Sequence, residues 1–164
     1  MKIDETLTLF DYNQWANTRI LMAAEKLSLE QFGAAAGLSF GSIRATLAHI
    51  LGTERTWRLR VQEGISPTKI GTENEYPTLD ALRTRWQSES HAWRDYLASL
   101  EDPALEKIIT YKTTSGIPRQ NPLWQILTHV VNHGTQFRSE AGVALTRFGY
   151  SPGDIDFILY LRQK

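Results

Sequence analysis

Four stretches of this 164-residue chain repeat apolar side chains every three or four positions over about twenty residues each. That period commits the chain to long helices, each with one buried face. The first stretch reads Ile3, Leu7, Phe10, Gln14, Asn17, Leu21, Ala24, and a second row of Leu9, Ala16, Ile20, Ala23 and Leu27 widens it. It predicts a helix over roughly 4–26, with Asp4 as N-cap and Glu5 against the positive end of the helix dipole. Gln14 and Asn17 interrupt the seam at its centre, which signals either hydrogen bonding between packed helices or a pocket beneath them. Ser42 caps a second helix, roughly 42–63, through Ile43, Leu47, Ile50, Trp57 and Val61. Thr78 caps a third with the seam Leu79, Leu82, Trp86, Trp93, Leu97, Leu100, ended by Glu101-Asp102-Pro103. Asn121-Pro122 opens a fourth, roughly 122–147, through Leu123, Leu127, Val130, Gly134, Phe137, Ala141 and Ala144, and Gly149 stops it.

The connections read differently. Residues 28–41, rich in Ser, Gly and Ala, form a loop with one helical turn after Ser28, and 64–77 is a long connection. From 104 to 120 the period changes: Lys107 to Thr113 is β-branched and aromatic, and Ser115-Gly116 supplies a turn, so a short hairpin or extended excursion is expected. Ser151-Pro152-Gly153-Asp154 starts a short C-terminal helix bearing Ile155, Phe157, Ile158 and Leu161. Together these imply an all-α fold: a four-helix bundle in one domain over 1–164, with the excursion before the fourth long helix.

Composition narrows the function. Eighteen basic and eighteen acidic side chains cancel, which removes the footprint of a nucleic-acid or polybasic membrane binder. Arg55, Arg58 and Arg60 cluster on the second helix, but Glu54 and Glu63 offset them. No apolar run approaches the ~20 residues of a membrane span. The opening residues carry no signal-peptide stretch, so a cytoplasmic location is expected. The absence of cysteine removes disulfides, thiolate nucleophiles and cysteine metal sites.

The chemistry therefore rests on four histidines. His129 and His133 stand four apart on the fourth helix, so both rings share a face and can converge on one metal ion, although the same spacing is common in helices without metal. His49 lies midway along the second helix beside Ala45, Thr46, Gly52, Thr53 and Thr56, a row of small side chains that admits either a close helix approach or a pocket. His91 sits opposite its helix's apolar seam and reads as solvated. Of the five tryptophans, most read as core, with one or two lining a cavity.

Leu9-Phe10-Asp11-Tyr12-Asn13-Gln14-Trp15-Ala16-Asn17, Leu47-Ala48-His49-Ile50-Leu51-Gly52-Thr53-Glu54-Arg55-Thr56-Trp57 and His129-Val130-Val131-Asn132-His133-Gly134-Thr135-Gln136-Phe137-Arg138-Ser139-Glu140 resemble, in order and spacing, three helices of the DinB-like (YfiT-like) metalloenzyme superfamily. The similarity extends to Gly149–Phe157 and so covers nearly the whole chain. The resemblance implies a four-helix bundle, commonly a homodimer, with a divalent metal such as zinc or nickel held by three histidines. It also implies a small-molecule substrate and thiol-dependent transfer or hydrolysis, with a low-molecular-weight thiol as cosubstrate. His49 matches the second-helix ligand and His133 the first ligand of the fourth helix, whereas the third falls at Phe137, which cannot bind metal. Three arrangements follow: His129 replaces the lost ligand; His49 and His133 alone hold a weak, solvent-completed metal; or the site is empty and the chain is a non-catalytic bundle binding a small molecule or protein partner. Glu140, two turns beyond His133, reads first as a rim or interface charge, and Arg138 or Glu140 is also a candidate to orient a substrate.

Overall fold

The computed structural model describes residues 1–163, and among them the chain is mostly helical. Its elements are α1 (Ile3–Ala24), α2 (Leu29–Gly33), α3 (Ile43–Arg58), α4 (Leu79–Ala98), β1 (Ile108–Lys112), β2 (Pro118–Pro122), α5 (Leu123–Arg147) and α6 (Phe157–Leu161). Among the four long helices, α1 packs against α4 and α5, and α3 packs against the same two. No described helix is long and apolar enough to cross a membrane.

Local chemistry sets most boundaries. Ser42 accepts from the Ala45 N–H at 3.0 Å and Thr78 from the Ala81 N–H at 3.2 Å, so both helix starts lie where the sequence puts them. The turn after Ser28 is a capping box: Ser28 Oγ takes the Gln31 N–H, and Gln31 Oε1 takes the Ser28 N–H. Three starts differ from expectation. Asp4 lies inside the first turn of α1, and the helix is capped by Asp102, which accepts from the Ile3 N–H at 2.8 Å. Asn121 and Pro122 end β2, and α5 begins at Leu123. The Asn121 side chain is spent on Tyr111 and Gln125, which leaves it no role as a cap. The C-terminal helix starts later than Ser151–Asp154, at Phe157, because Asp156 supplies its cap to the Leu159 N–H.

The expected excursion is an antiparallel hairpin pairing Ile108 with Pro122 and Lys112 with Pro118. Ile109 and Tyr111 turn toward the helices, while Thr110 and Lys112 face solvent.

The apolar core comes in two main bodies. One joins Ile20 of α1, Leu47 and Leu51 of α3, and Ala141 and Leu145 of α5. The other joins Trp93 and Leu97 of α4, Ile109 of β1, and Leu123, Leu127 and Val130 of α5. Between them, by position along the helices, lies a buried polar layer of Asn13, Asn17, Glu54 and Arg138. The sequence reading of α1 is off by one position here. Gln14 is exposed, and Asn13 beside it is buried with Asn17. One residue is about 100° of helix rotation, enough to swap an inward side chain for an outward one.

Candidate metal centre

The polar layer fixes the frame around the histidines. Glu54 Oε1 accepts from Asn13 Nδ2 at 2.7 Å and from Asn17 Nδ2 at 3.1 Å, and its Oε2 accepts from the Trp86 indole at 2.7 Å. The two carboxamide oxygens then accept from Arg138 at 2.5 and 2.7 Å, and Thr135 Oγ1 accepts from its other terminal nitrogen at 3.0 Å. Two asparagines of α1 thus bridge an acid on α3 to a base on α5. Burial pushes the Glu54 carboxyl up, while Asn13, Arg138, Asn17 and Trp86 hold it back. Gly134 is required at this crossing, because a Cβ there would lie 2.7 Å from an Arg138 nitrogen and 2.8 Å from Asn13 Oδ1. With its side chain 0% exposed and engaged in this way, Arg138 is no substrate-orienting group, contrary to expectation.

One turn toward the surface, α3 and α5 bring His49 and His133 together with their Nε2 atoms 3.1 Å apart. Two imidazoles bound to one divalent ion at about 2.0–2.1 Å have nitrogens roughly 2.9–3.4 Å apart, so the pair has the bite of two adjacent ligands. Without an ion, one neutral ring donates and the other accepts. Burial, the neighbouring His49 and His129 rings, and Arg138 lower His133 to about 4. Burial also lowers His49, against the pull of Glu140 in the other direction. Both rings are therefore neutral at pH 7, the form that ligates metal.

The position at which the resemblance puts a third ligand is filled by Phe137. Phe137 is 9% exposed, with its ring 4.7 Å from His133 and 4.8 Å from His49. His129 is exposed on the outer side, its ring 5.7 Å from His133 and edge-on to Trp57 at 5.3 Å. Among the described residues no group of three or more His, Asp or Glu side chains is arranged to hold a metal. The donors present fit two adjacent positions of a divalent ion, with the rest left to exogenous ligands.

Sequence reasoning missed the cover over this pair. Phe40 stacks on His49 with ring centroids 3.8 Å apart and meets Phe137 at 5.3 Å. Its loop is pinned by Glu140, which accepts from the Ser39 N–H at 2.9 Å and the Ser39 hydroxyl at 2.8 Å. Glu140 thus holds a loop and tunes His49, in keeping with its reading as a rim charge. A loop has no period, so nothing in residues 28–41 announced Phe40. Of the small residues beside His49, Gly52 admits neither a helix nor a pocket but the loop segment at Ile70 and Gly71. A Cβ on Gly52 would lie 2.9 Å from Ile70 Cγ2 and 3.1 Å from the Gly71 backbone. His91 is exposed, as expected, and Trp57 is a tryptophan that lines a cleft.

Comparison with known proteins bears on the whole chain. The sequence profile described as the DinB family matches residues 1–164. Protein DinB of Bacillus subtilis (strain 168) is 25% identical over 165 residues, which span 96% of this chain and 94% of that protein.

Proposed function

The chain belongs to the DinB family, and on that premise we propose that it is a divalent-metal-dependent enzyme of the thiol-transferase or hydrolase type, built as a four-helix bundle with His49 and His133 as metal ligands. The observation that carries this reading is the 3.1 Å approach of two imidazole nitrogens from different helices. Zinc or nickel suits neutral nitrogen donors. When bound, such an ion lowers the pKa of a water or thiol ligand and polarises a small electrophilic substrate. The chain has no cysteine, so in the transferase case the thiol belongs to a low-molecular-weight cosubstrate.

The protein's own side chains do the rest. The buried Glu54–Asn13–Asn17–Arg138 layer fixes the α3–α5 spacing that sets the His49–His133 distance. The Arg138 charge helps keep His133 deprotonated. Phe40 and Phe137 pack against the pair and orient its rings. His129 joins as a third donor only by turning its ring off Trp57. Assembly as a homodimer, implied by the family resemblance alone, belongs to the same proposal and is read by sedimentation.

The test is elemental analysis of protein purified without a histidine tag, reconstituted with zinc or nickel and then desalted. The proposal expects metal retained in stoichiometric amount, lost in His49→Ala and in His133→Ala. Retention in His129→Ala marks a two-histidine centre, and loss there marks His129 as the third donor. No retained metal in the unmodified chain overturns the proposal.

A further inference from the structure

After Arg58 the helix widens into one π-helical turn, Leu59–Glu63, closed by Gly64 in the left-handed region at φ 69°. Such insertions change which side chains face inward and recur at functional sites. Here the inward side chain is Arg60, only 7% exposed. Its guanidinium lies 4.5 Å over the Trp57 ring and 5.1 Å from the Tyr111 ring. Arg58, two residues earlier, pairs with Glu89 and Glu63. Arg60 has no carboxylate partner: among the described residues no acceptor takes a hydrogen bond from it, and its Nε is sealed from solvent. Aromatic stacking attracts the charge, while the terminal nitrogens, which are not sealed as Nε is, have no acceptor among the described residues and are open to a ligand.

The same two rings, Trp57 and Tyr111, wall a cleft of about 250 Å³ completed by Asn121, Gln125, Ile126 and His129. Tyr111 donates to Asn121, and Asn121 donates to Gln125 Oε1, which leaves the Gln125 amide N–H groups available to a ligand. The volume falls below the roughly 300–1,000 Å³ of drug-sized pockets, so the occupant is small. Through His129 the cleft adjoins the histidine pair.

We propose that this cleft binds a small organic carboxylate, its flat apolar body against Trp57 and Tyr111 and its carboxylate completing the Arg60 guanidinium. Arg60, stacked on two of the cleft's walls, is the one permanent cation against them, so one negative charge balances it. A guanidinium fork also matches a carboxylate in geometry. A phosphate monoester, carrying about two charges, would be left partly unneutralised. The site goes beyond the metal-dependent reading and stands without it.

The test uses metal-stripped protein titrated with benzoate, with benzamide and inorganic phosphate as comparison probes, followed through the Trp57 indole N–H signal in two-dimensional NMR. Benzoate is expected to shift that signal saturably, while benzamide and phosphate leave it in place. Arg60→Met is expected to weaken benzoate roughly 10- to 100-fold, as loss of a charged hydrogen bond does. Should Arg60→Met fail to fold, Gln125→Glu at an exposed position carries the test, since an added carboxylate in the cleft must repel benzoate. The assignment is overturned if benzoate does not saturate, if phosphate or benzamide shifts the signal equally, or if the folded variants bind benzoate as the unmodified chain does.

Discussion

Replacing Phe137 by histidine returns a nitrogen donor to the position whose ring already lies 4.7 Å from His133 and 4.8 Å from His49. The metal-free variant loses stability, because a buried phenylalanine is worth about 1.5–3 kcal/mol and an imidazole recovers only part of that. The metal-bound variant gains more. Structural zinc sites with four protein ligands bind with about 10–16 kcal/mol, or about 3 kcal/mol per ligand, so a third imidazole tightens zinc roughly 100-fold. With zinc saturating both proteins, that factor widens the metal-induced stabilisation by about 2.7 kcal/mol. For a chain of this length it amounts to a further rise of roughly 5–11 °C in Tm. The assay is zinc titration against a competing chelator on tag-free protein, paired with thermal unfolding with and without zinc. Zinc binding no tighter in Phe137→His than in the unmodified chain would show that the three positions do not converge, and the reasoning fails.

Three further outcomes follow from the same geometry. His133 is held at about 4 in the folded chain against about 6.5 when unfolded, so between those values the unfolded state carries the extra proton. Stability is therefore full above about pH 6.5 and declines by at most about 3 kcal/mol as pH falls toward 4, less after solvent screening. Urea unfolding across that range reads it, and His133→Asn flattens the slope. Arg138→Met leaves Glu54 buried without its cation and costs about 3–5 kcal/mol, while the double variant Glu54→Gln/Arg138→Met recovers much of the loss. A neutral single variant in denaturant titration would remove the polar layer as the link between α1, α3 and α5. Gly134→Ala should destabilise despite alanine's ~1 kcal/mol helix advantage, because its Cβ collides with Arg138 and Asn13. A rise in Tm would contradict the tight crossing.

The long helices were legible because burial on one face imposes its period on the sequence, and because Ser42 and Thr78 cap where side-chain chemistry alone directs. Asn121-Pro122 misled for an instructive reason. The pair is a good helix start in isolation, but the hairpin takes the Asn121 side chain first. Asn13 and Glu54 were not read as buried partners, because α1 and α3 are buried over wide arcs, where a polar residue reads as surface until its partners on other helices are known. His49 and His133 were identified from sequence, and their meeting at 3.1 Å is tertiary information. Phe40 and Arg60 were invisible as site residues. One sits in an aperiodic loop, and the other faces inward through a π-helical turn that no 3.6-residue pattern encodes.

Anomalous diffraction from crystals grown with zinc, collected on both sides of the zinc edge, addresses the two-histidine centre most directly. A single peak about 2.0–2.1 Å from both His49 Nε2 and His133 Nε2 is the result expected. Crystals without a peak there, with the two nitrogens still in hydrogen-bond contact at the same zinc concentration, would contradict it.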